Sequence, residues 1–329
     1  METVLITGGT GLLGKALTKA LLDKGYAVIV LTRESQFAMG SRQWAIGSRQ
    51  WAIGNGQLAS GRISYAQWDL KKQLIDSSAI SRADHVIHLA GASLAEKRWT
   101  AKRKKEIVDS RVKSGELLVK AMQETPNKVK TVISASGIGW YGADSMIPNP
   151  QPFKETDPSA NNFVGQICQQ WEDSMEPVKE QGKRFVKFRI GVVLSREGGA
   201  LNEFMKPIKF GIAAILGSGK QVISWIHIDD IVGLFITAIE NKQLDGIYNA
   251  VTPFPVSNKA LTIELAKQKR GKWFIPVHVP SFAVKLIVGE FSSEVLNSST
   301  VSCEKIQHSG FVFKYPAIKD ALRQLFANP

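Results

Sequence analysis

At 329 residues the chain can form one large domain or two modest ones with a real core, and at 44% apolar and 22% charged residues it has an ordinary soluble composition. No apolar run reaches the ~18–20 residues of a membrane helix, so a helical membrane span is excluded. The net charge of +13 has its densest run at Lys102-Arg103-Lys104-Lys105, in no nucleic-acid motif and no basic tail; no nucleic-acid partner is expected, and the basic surface is read as attracting small anions.

The N-terminal stretch M-E-T-V-L-I-T runs straight into a strand pattern without a basic and then apolar leader, so no signal peptide is expected. Val4–Thr7 is a short apolar run ending in glycines. Residues 12–24 carry apolar side chains at helical spacing through Leu13, Leu17, Ala20 and Leu21, and Tyr26–Leu31 is a buried-strand pattern. Residues 41–54 read S-R-Q-W-A-I-G twice. Two copies with a glycine in each cannot sustain a coiled coil, so the repeat is read as a duplication in a surface loop, from which Trp44 and Trp51 could pack over a ligand. Further strand patterns follow at Ile63–Trp68, His85–Leu89, Val129–Ser134 and Phe185–Val193, with helical patterns at 100–124 and 163–181 between them. Strands alternating with helices predict a parallel sheet covered on both faces. After residue 195 glycine and proline become frequent, as in P-F-P-V and I-P-V-H-V-P, which predicts a smaller, less regular region against the sheet. The two cysteines, Cys168 and Cys303, lie far apart and the five histidines are scattered. That argues against a disulfide framework or a metal site and fits a reducing cytoplasm.

The strongest motif is T-G-G-T-G-L-L-G, where Gly9-x-Gly11-x-x-Gly14 follows a strand and opens a helix. Glycines there permit a tight turn and a close approach to a pyrophosphate, and the helix start offers free amides. Gly8, Thr10, Gly11, Leu12, Leu13 and Gly14 are therefore candidates for holding a dinucleotide. The second strand ends V-L-T-R-E. Arg33 at that end would accommodate a ribose 2′-phosphate, so NADP(H) is preferred over NAD(H), although Glu34 beside it points the other way.

G-G-T-G-L-L-G at 8–14, W-D-L at 68–70 and H-L-A-G at 88–91 resemble the extended short-chain dehydrogenase/reductase superfamily. The resemblance implies that Asp69 and Leu70 sit by the adenine and that Leu89, Ala90 and Gly91 run along the cofactor. K-R-W-T at 97–100, S-R at 110–111, G-W-Y-G at 139–142, C-Q-Q-W-E at 168–172 and R-I-G-V-V-L at 189–194 are similar to one atypical branch, the "epimerase family" proteins. So are W-I-H-I-D-D at 225–230, Y-N-A-V-T-P at 248–253 and G-F-V-F-K-Y-P at 310–316. Some members of that branch carry cell-division or sugar-nucleotide epimerase labels. The implied fold is α/β, a Rossmann-type doubly wound parallel sheet with a smaller, irregular C-terminal substrate region. The division falls at 1–194 and 195–329, with a strand near 222–228 returning to the core. Arg111 and Gly191 join the implied cofactor-binding set.

Ordinary members of the superfamily move a proton with a tyrosine whose pKa is lowered by a lysine four residues on, on one helix face. Aligned by Glu172, those two positions fall at or near Val164 and Cys168, which replace neither. Tyr315-x-x-x-Lys319 repeats the spacing near the C-terminus, with proline after the tyrosine, and is read as coincidence. Ser136 and Tyr141, after the strand ending near residue 134, and His227, the best group titrating near neutrality, are the candidate catalytic residues. Asp229 and Asp230 are read as capping the helix after His227. Arg98, Trp99 and Arg111 are candidates for holding a small, anionic substrate. Two functions fit: an NADP-dependent oxidoreductase or epimerase-like enzyme with a non-standard proton donor, or a non-catalytic NADP(H)-binding sensor or regulator. The sequence leaves the oligomeric state open.

Overall fold

The computed structural model describes residues 1–33 and 61–327; the tandem repeat at 41–54 and Glu34 lie outside the described residues. The chain begins with β1 (Thr3–Thr7), helix Leu12–Asp23, β2 (Ala27–Thr32), β3 (Ile63–Asp69) and the short β4 (Leu74–Ile75). Next come β5 (His85–His88), helix Ala101–Glu124, β6 (Thr131–Gly137), helix Phe163–Met175 and β7 (Arg184–Ile190). The helical pattern at 163–181 stops early. Pro177 has no amide hydrogen to continue the ladder, and a 3-10 turn over Glu176–Val178 ends the helix. Beyond residue 190 lie β8 (Val192–Ser195), β9 (Gly198–Gly199), β10 (Ile212–Leu216), β11 (Val222–Ile223), β12 (Trp225–His227), helix Ile228–Glu240 and β13 (Gly246–Ala250).

Eight strands form the main sheet in the order β13-β7-β6-β5-β1-β2-β3-β4, parallel except for the β3–β4 pair. The fold is α/β with a mostly parallel, Rossmann-like sheet, as the alternation of strands and helices predicts. Apolar residues pack in one cluster that holds Val4, Ile6, Ile133 and Phe235, and in another that holds Leu5, Val86, Leu118 and Phe185. Neighbouring strand residues such as Leu5 and Ile6 thus feed different clusters, as the period of two requires. β1 pairs with β2 on one side and β5 on the other. The chain reverses direction of travel across the sheet there, which opens a crevice beyond the carboxyl ends of β1 and β5.

One expectation is corrected. The strand near 222–228 does not join the main ladder: β12 pairs in parallel with β8, in a three-stranded sheet with β9. The strand that returns to the main sheet is β13, which lies along β7 from Gly246↔Val186 to Ala250↔Ile190. The cause is local. β7 and β8 are nearly continuous, and Gly191 between them donates its amide to Ala250, so β13 takes the edge of β7 and leaves β12 the edge of β8. Ile226 of β12 still packs in the first apolar cluster. Among the described residues, no helix is long and apolar enough to cross a membrane.

Candidate functional site

The turn after β1 is closed by steric necessity. Gly8 has φ +68°, and a Cβ there would lie 2.9 Å from the Leu89 carbonyl carbon. A Cβ on Gly14 would meet the Gly8 oxygen at 2.3 Å, and one on Gly9 would meet Val30 Cγ1 at 2.7 Å. The glycines therefore let the helix start press against β1 and the end of β5. Gly11 caps helix Leu12–Asp23 without any side-chain bond, so the amides of Leu12, Leu13 and Gly14 face the crevice with no intrahelical acceptor. A helix start of this kind suits a phosphate oxygen by hydrogen bonding and by dipole. Thr10 and Gly11 are exposed at its mouth, and Arg33 is exposed immediately after β2. The Arg33 charge lies close enough to Glu106 to help keep that carboxyl below its usual range, after the Arg103 hydrogen bond that does most of it.

Beneath the crevice a buried polar chain fixes the ends of β1 and β5. The Thr7 hydroxyl accepts from the amides of Leu89 and Ala90, each at 3.1 Å, and lies 2.8 Å from His88 Nδ1. With both amides donating, its own hydrogen goes to Nδ1, so the His88 proton sits on Nε2, facing the Ser114 hydroxyl at 3.3 Å. Burial drives the His88 pKa down to about 3 and keeps the ring neutral. Arg111 is buried too. It donates to the carbonyls of Ala92 and Ile107 at 2.9 and 3.1 Å, and a Cβ on Gly91 would come within 3.0 Å of its guanidinium carbon. Arg111 thus supports the loop Leu89–Ala92 from below through one terminal nitrogen.

The positions of the missing dyad face backbone. A Cβ on Gly139 would lie 2.3 Å from Val164 Cγ1, and one on Gly137 would lie 3.6 Å from Cys168 Sγ. The glycine turn after β6 thus packs on the helix face that carries these two positions, closely at Val164 and in ordinary contact at Cys168. Burial raises the Cys168 thiol to about 11, so it stays protonated.

Ser136 and Tyr141 belong to one buried network. Ser136 donates to Glu172 Oε1 at 2.7 Å, and Arg189 grips the same carboxylate with Nε at 2.8 Å and a terminal nitrogen at 3.1 Å. Burial works against the Arg189 charge, and its bonds to Glu172 outweigh it, so its pKa is raised. Arg189 also donates to the Tyr141 hydroxyl at 3.0 Å, which in turn donates to Asn249 Oδ1 at 2.7 Å. Tyr141 is stacked on Phe153 at 5.2 Å, and burial pushes its pKa up to about 12. The sequence flags Glu172 and Arg189 only inside motifs. The signal for their pairing is an arginine in an apolar strand run, since a charge at a buried position demands a partner.

The structure does not bring His227 to that network. His227 is fully buried, accepts from the Asp229 amide at 3.1 Å as the cap of helix Ile228–Glu240, and contacts Gln324 Oε1 at 3.0 Å. Burial lowers its pKa. The cap is thus the histidine, not the aspartates: Asp230 instead accepts from the amides of Lys314 and Tyr315 at 2.7 and 3.0 Å. Tyr315 packs tilted against His227 at 4.2 Å, so the Tyr315–Lys319 string is a packed aromatic before a helix. Arg98 is exposed and donates from one terminal nitrogen to the carbonyls of Leu286 and Ile287. Trp99 spends its indole hydrogen on Leu94 O at 2.8 Å and packs edgewise on Phe163 at 5.1 Å. Asp69 accepts from the amides of Lys71 and Lys72 in the turn after β3, and Leu70 packs on the second apolar cluster. Gly191 is glycine because a Cβ would strike the Ser224 oxygen at 2.5 Å.

Comparison with known proteins agrees with this architecture. An epimerase family protein of Staphylococcus aureus (strain MRSA252) is 33% identical over 331 residues, covering 100% of both chains, and one of Staphylococcus saprophyticus is 33% identical over 327 residues, covering 99% of both. The crystal structure of human epimerase family protein SDR39U1 with NADPH matches with a TM-score of 0.81 at 25% identity, over 99% of this chain and 100% of that one. A nucleoside-diphosphate sugar epimerase from Corynebacterium glutamicum matches with a TM-score of 0.71 at 28% identity, over 98% of this chain and 58% of that one. Residues 279–325 match DUF1731, a domain of unknown function. With residues 4–250 matching its profile, the chain belongs to the NAD dependent epimerase/dehydratase family, in the atypical short-chain dehydrogenase/reductase branch of epimerase family proteins.

Proposed function

We propose that the protein is an NADP(H)-dependent oxidoreductase or epimerase-like enzyme acting on a small molecule, without the tyrosine–lysine dyad. The observation that carries this reading is the uncapped helix start at Gly11, set by Gly8, Gly9 and Gly14 against the end of β5. A side chain at any of these three positions would strike Leu89, Val30 or the turn itself and displace the cradle. The turn and the amides of Leu12 and Leu13 would hold the pyrophosphate, Leu70 would border the adenine, and Leu89–Gly91 would run beside the bound molecule on the support of Arg111. Bound there, a nicotinamide supplies or accepts hydride. Arg33 supports NADP(H) over NAD(H), because it is exposed at the end of β2 where a 2′-phosphate would lie. The human relative, described with NADPH, supports the same choice.

Calorimetric titration with NADPH and NADH tests the reading. NADPH should bind more tightly. Arg33→Ser should weaken NADPH roughly tenfold to a hundredfold, the worth of a charge-assisted hydrogen bond, and leave NADH nearly unchanged. No binding of either nucleotide would sink the proposal. A non-catalytic sensor is the second reading. It is favoured by Ser136, Tyr141 and His227 all being buried with their polar atoms committed. NADPH binding without turnover against small carbonyls and quinones would select it.

A further inference from the structure

The smaller C-terminal region leaves an apolar sheet face exposed. β10 pairs in parallel with strand Ile275–Val279, Ile212 beside Ile275 and Leu216 beside Val279. Helices Ala200–Ile208 and Asn258–Arg270 pack against β10, and Ala213 and Ile215 are buried. Side chains alternate along a strand and partners in register share a face. The face turned away from Ala213 and Ile215 therefore holds Ile212, Ala214 and Leu216 beside Ile275, Val277 and Val279, all aliphatic. Ile275 is 69% exposed, and two aromatic rings stand just before the two strands, Phe210 at 82% and Trp273 at 85%. One exposed apolar side chain is ordinary; a run of them on one sheet face marks a contact surface.

The charge around this face says what it contacts. Phe204–His227 holds three lysines and Leu265–Val284 four lysines and arginines, and neither stretch holds an aspartate or glutamate. Lys209, Arg270 and Lys272, next to Phe210 and Trp273 along the chain, are exposed and make no ion pair among the described residues. The acids that flank these stretches are engaged elsewhere: Glu203 with Lys206 at 2.6 Å, Glu264 with Gln268 at 3.0 Å and Glu290 with Lys104 at 2.8 Å. An aliphatic face rimmed by tryptophan, phenylalanine and unpaired cations is complementary to an anionic bilayer. The apolar side chains reach the acyl boundary, the indole sits at headgroup level and the cations meet lipid phosphates. A second copy of the chain fits the face less well, because it would set the same cations against one another. Strand addition at the open edge is blocked as well. Ile275 gives its amide to Gly211 O and Val279 accepts from Gly217, so the backbone of Pro276 and His278 points to the edge, where the proline has no hydrogen to donate.

We propose that the outer face of β10 and strand Ile275–Val279, with Phe210, Trp273 and the cations beside them, docks on an anionic phospholipid bilayer without crossing it. Docking of this kind needs no spanning helix, and none of the described helices is long and apolar enough to be one.

Flotation of the full chain with vesicles of phosphatidylcholine, and of phosphatidylcholine with about 30% phosphatidylglycerol, tests it. The anionic vesicles should be bound at least about tenfold more tightly, and the preference should shrink as salt rises from about 0.1 M to about 0.5 M. Lys209→Ser, Arg270→Ser and Lys272→Ser combined should weaken that binding about a hundredfold, at roughly fivefold per cation, and Trp273→Ser alone about tenfold. Lys105→Ser, Lys113→Ser and Lys120→Ser combined, on helix Ala101–Glu124, remove the same charge from another surface and should weaken it less than about threefold. Equal binding to both vesicles overturns the proposal, as does a control triple that is as damaging as the first. A dimer that forms without lipid and is dissolved by Trp273→Ser would put a second copy on the face and overturn it too. The substituted side chains are exposed, and if any variant fails to fold the parent's choice between the two vesicles still decides.

Discussion

Tyr141 shows how much a single side chain's role depends on what it touches. Its hydroxyl gives its hydrogen to Asn249 and receives one from Arg189, so its proton is not free for a substrate. Burial pushes its pKa up to about 12, away from the neutral range in which a proton-transferring phenol works. Tyr141→Phe should therefore act on stability. It leaves buried Asn249 and Arg189 each one partner short, at a cost of about 1–3 kcal/mol, and should lower the thermal midpoint while NADPH affinity stays within about twofold. A melting curve and a calorimetric titration on one preparation check both. A loss of turnover with an unshifted midpoint would restore Tyr141 as a catalytic acid. The same reasoning applies to the glycines after β6. Gly139 matters as an absent side chain, because Val164 stands where its Cβ would go.

At the scale of elements, helix Phe163–Met175 is docked onto the sheet by charge. Lys187 and Arg189 project from the same face of β7, two residues apart, and meet Glu176 and Glu172, four residues apart around the end of the helix. Two strand steps span roughly 6.6 Å and four helix steps roughly 6 Å, so the two spacings match when strand and helix run side by side. Arg189 and Glu172 are 1% and 3% exposed, so breaking the pair leaves the buried Glu172 charge to Lys187 alone, at 3.6 Å. Arg189→Met should cost about 2–4 kcal/mol, less than for a charge left wholly unpaired because Lys187 still faces Glu172, and the double variant Arg189→Met with Glu172→Gln should recover part of that, as urea denaturation would show. If the single variant is as stable as the parent, the clasp does not hold the helix. This element also marks where sequence reading stops. The alternation of apolar strands with 3.6-period helices exposed the sheet, and glycines that leave no room for a Cβ exposed the cradle, because both signals are local. The partner of Tyr141 lies 108 residues away and that of Ser136 lies 36 away, and nothing in a serine or tyrosine discloses such a partner. The pairing of β12 with β8 was hidden for a similar reason: the composition of W-I-H fits either sheet, and the choice is made by Gly191 handing the edge of β7 to β13.

The whole molecule hangs together at one point in a way that makes it acid-sensitive. His88 ties the end of β1, through Thr7, to the long helix Ala101–Glu124, through Ser114, and the crevice rests on that junction. It is fully buried with a pKa of about 3, against roughly 6.5 in an unfolded chain. Between those values the unfolded chain binds a proton that the folded ring refuses. A group whose charged form is disfavoured by folding costs nothing above its unfolded pKa, and its penalty grows as pH falls below it. At pH 5 the penalty is about 2 kcal/mol, and it levels off only below pH 3. His88→Gln removes the titration while leaving an amide for Thr7 and Ser114. Urea midpoints of the parent and this variant should converge as pH falls from about 7 to about 5, because the parent alone pays the protonation cost, while carboxylates and the other histidines titrate alike in both. Parallel curves over that range would mean that the ring takes up a proton without strain, and that the junction under the crevice is more open than its buried bonds imply.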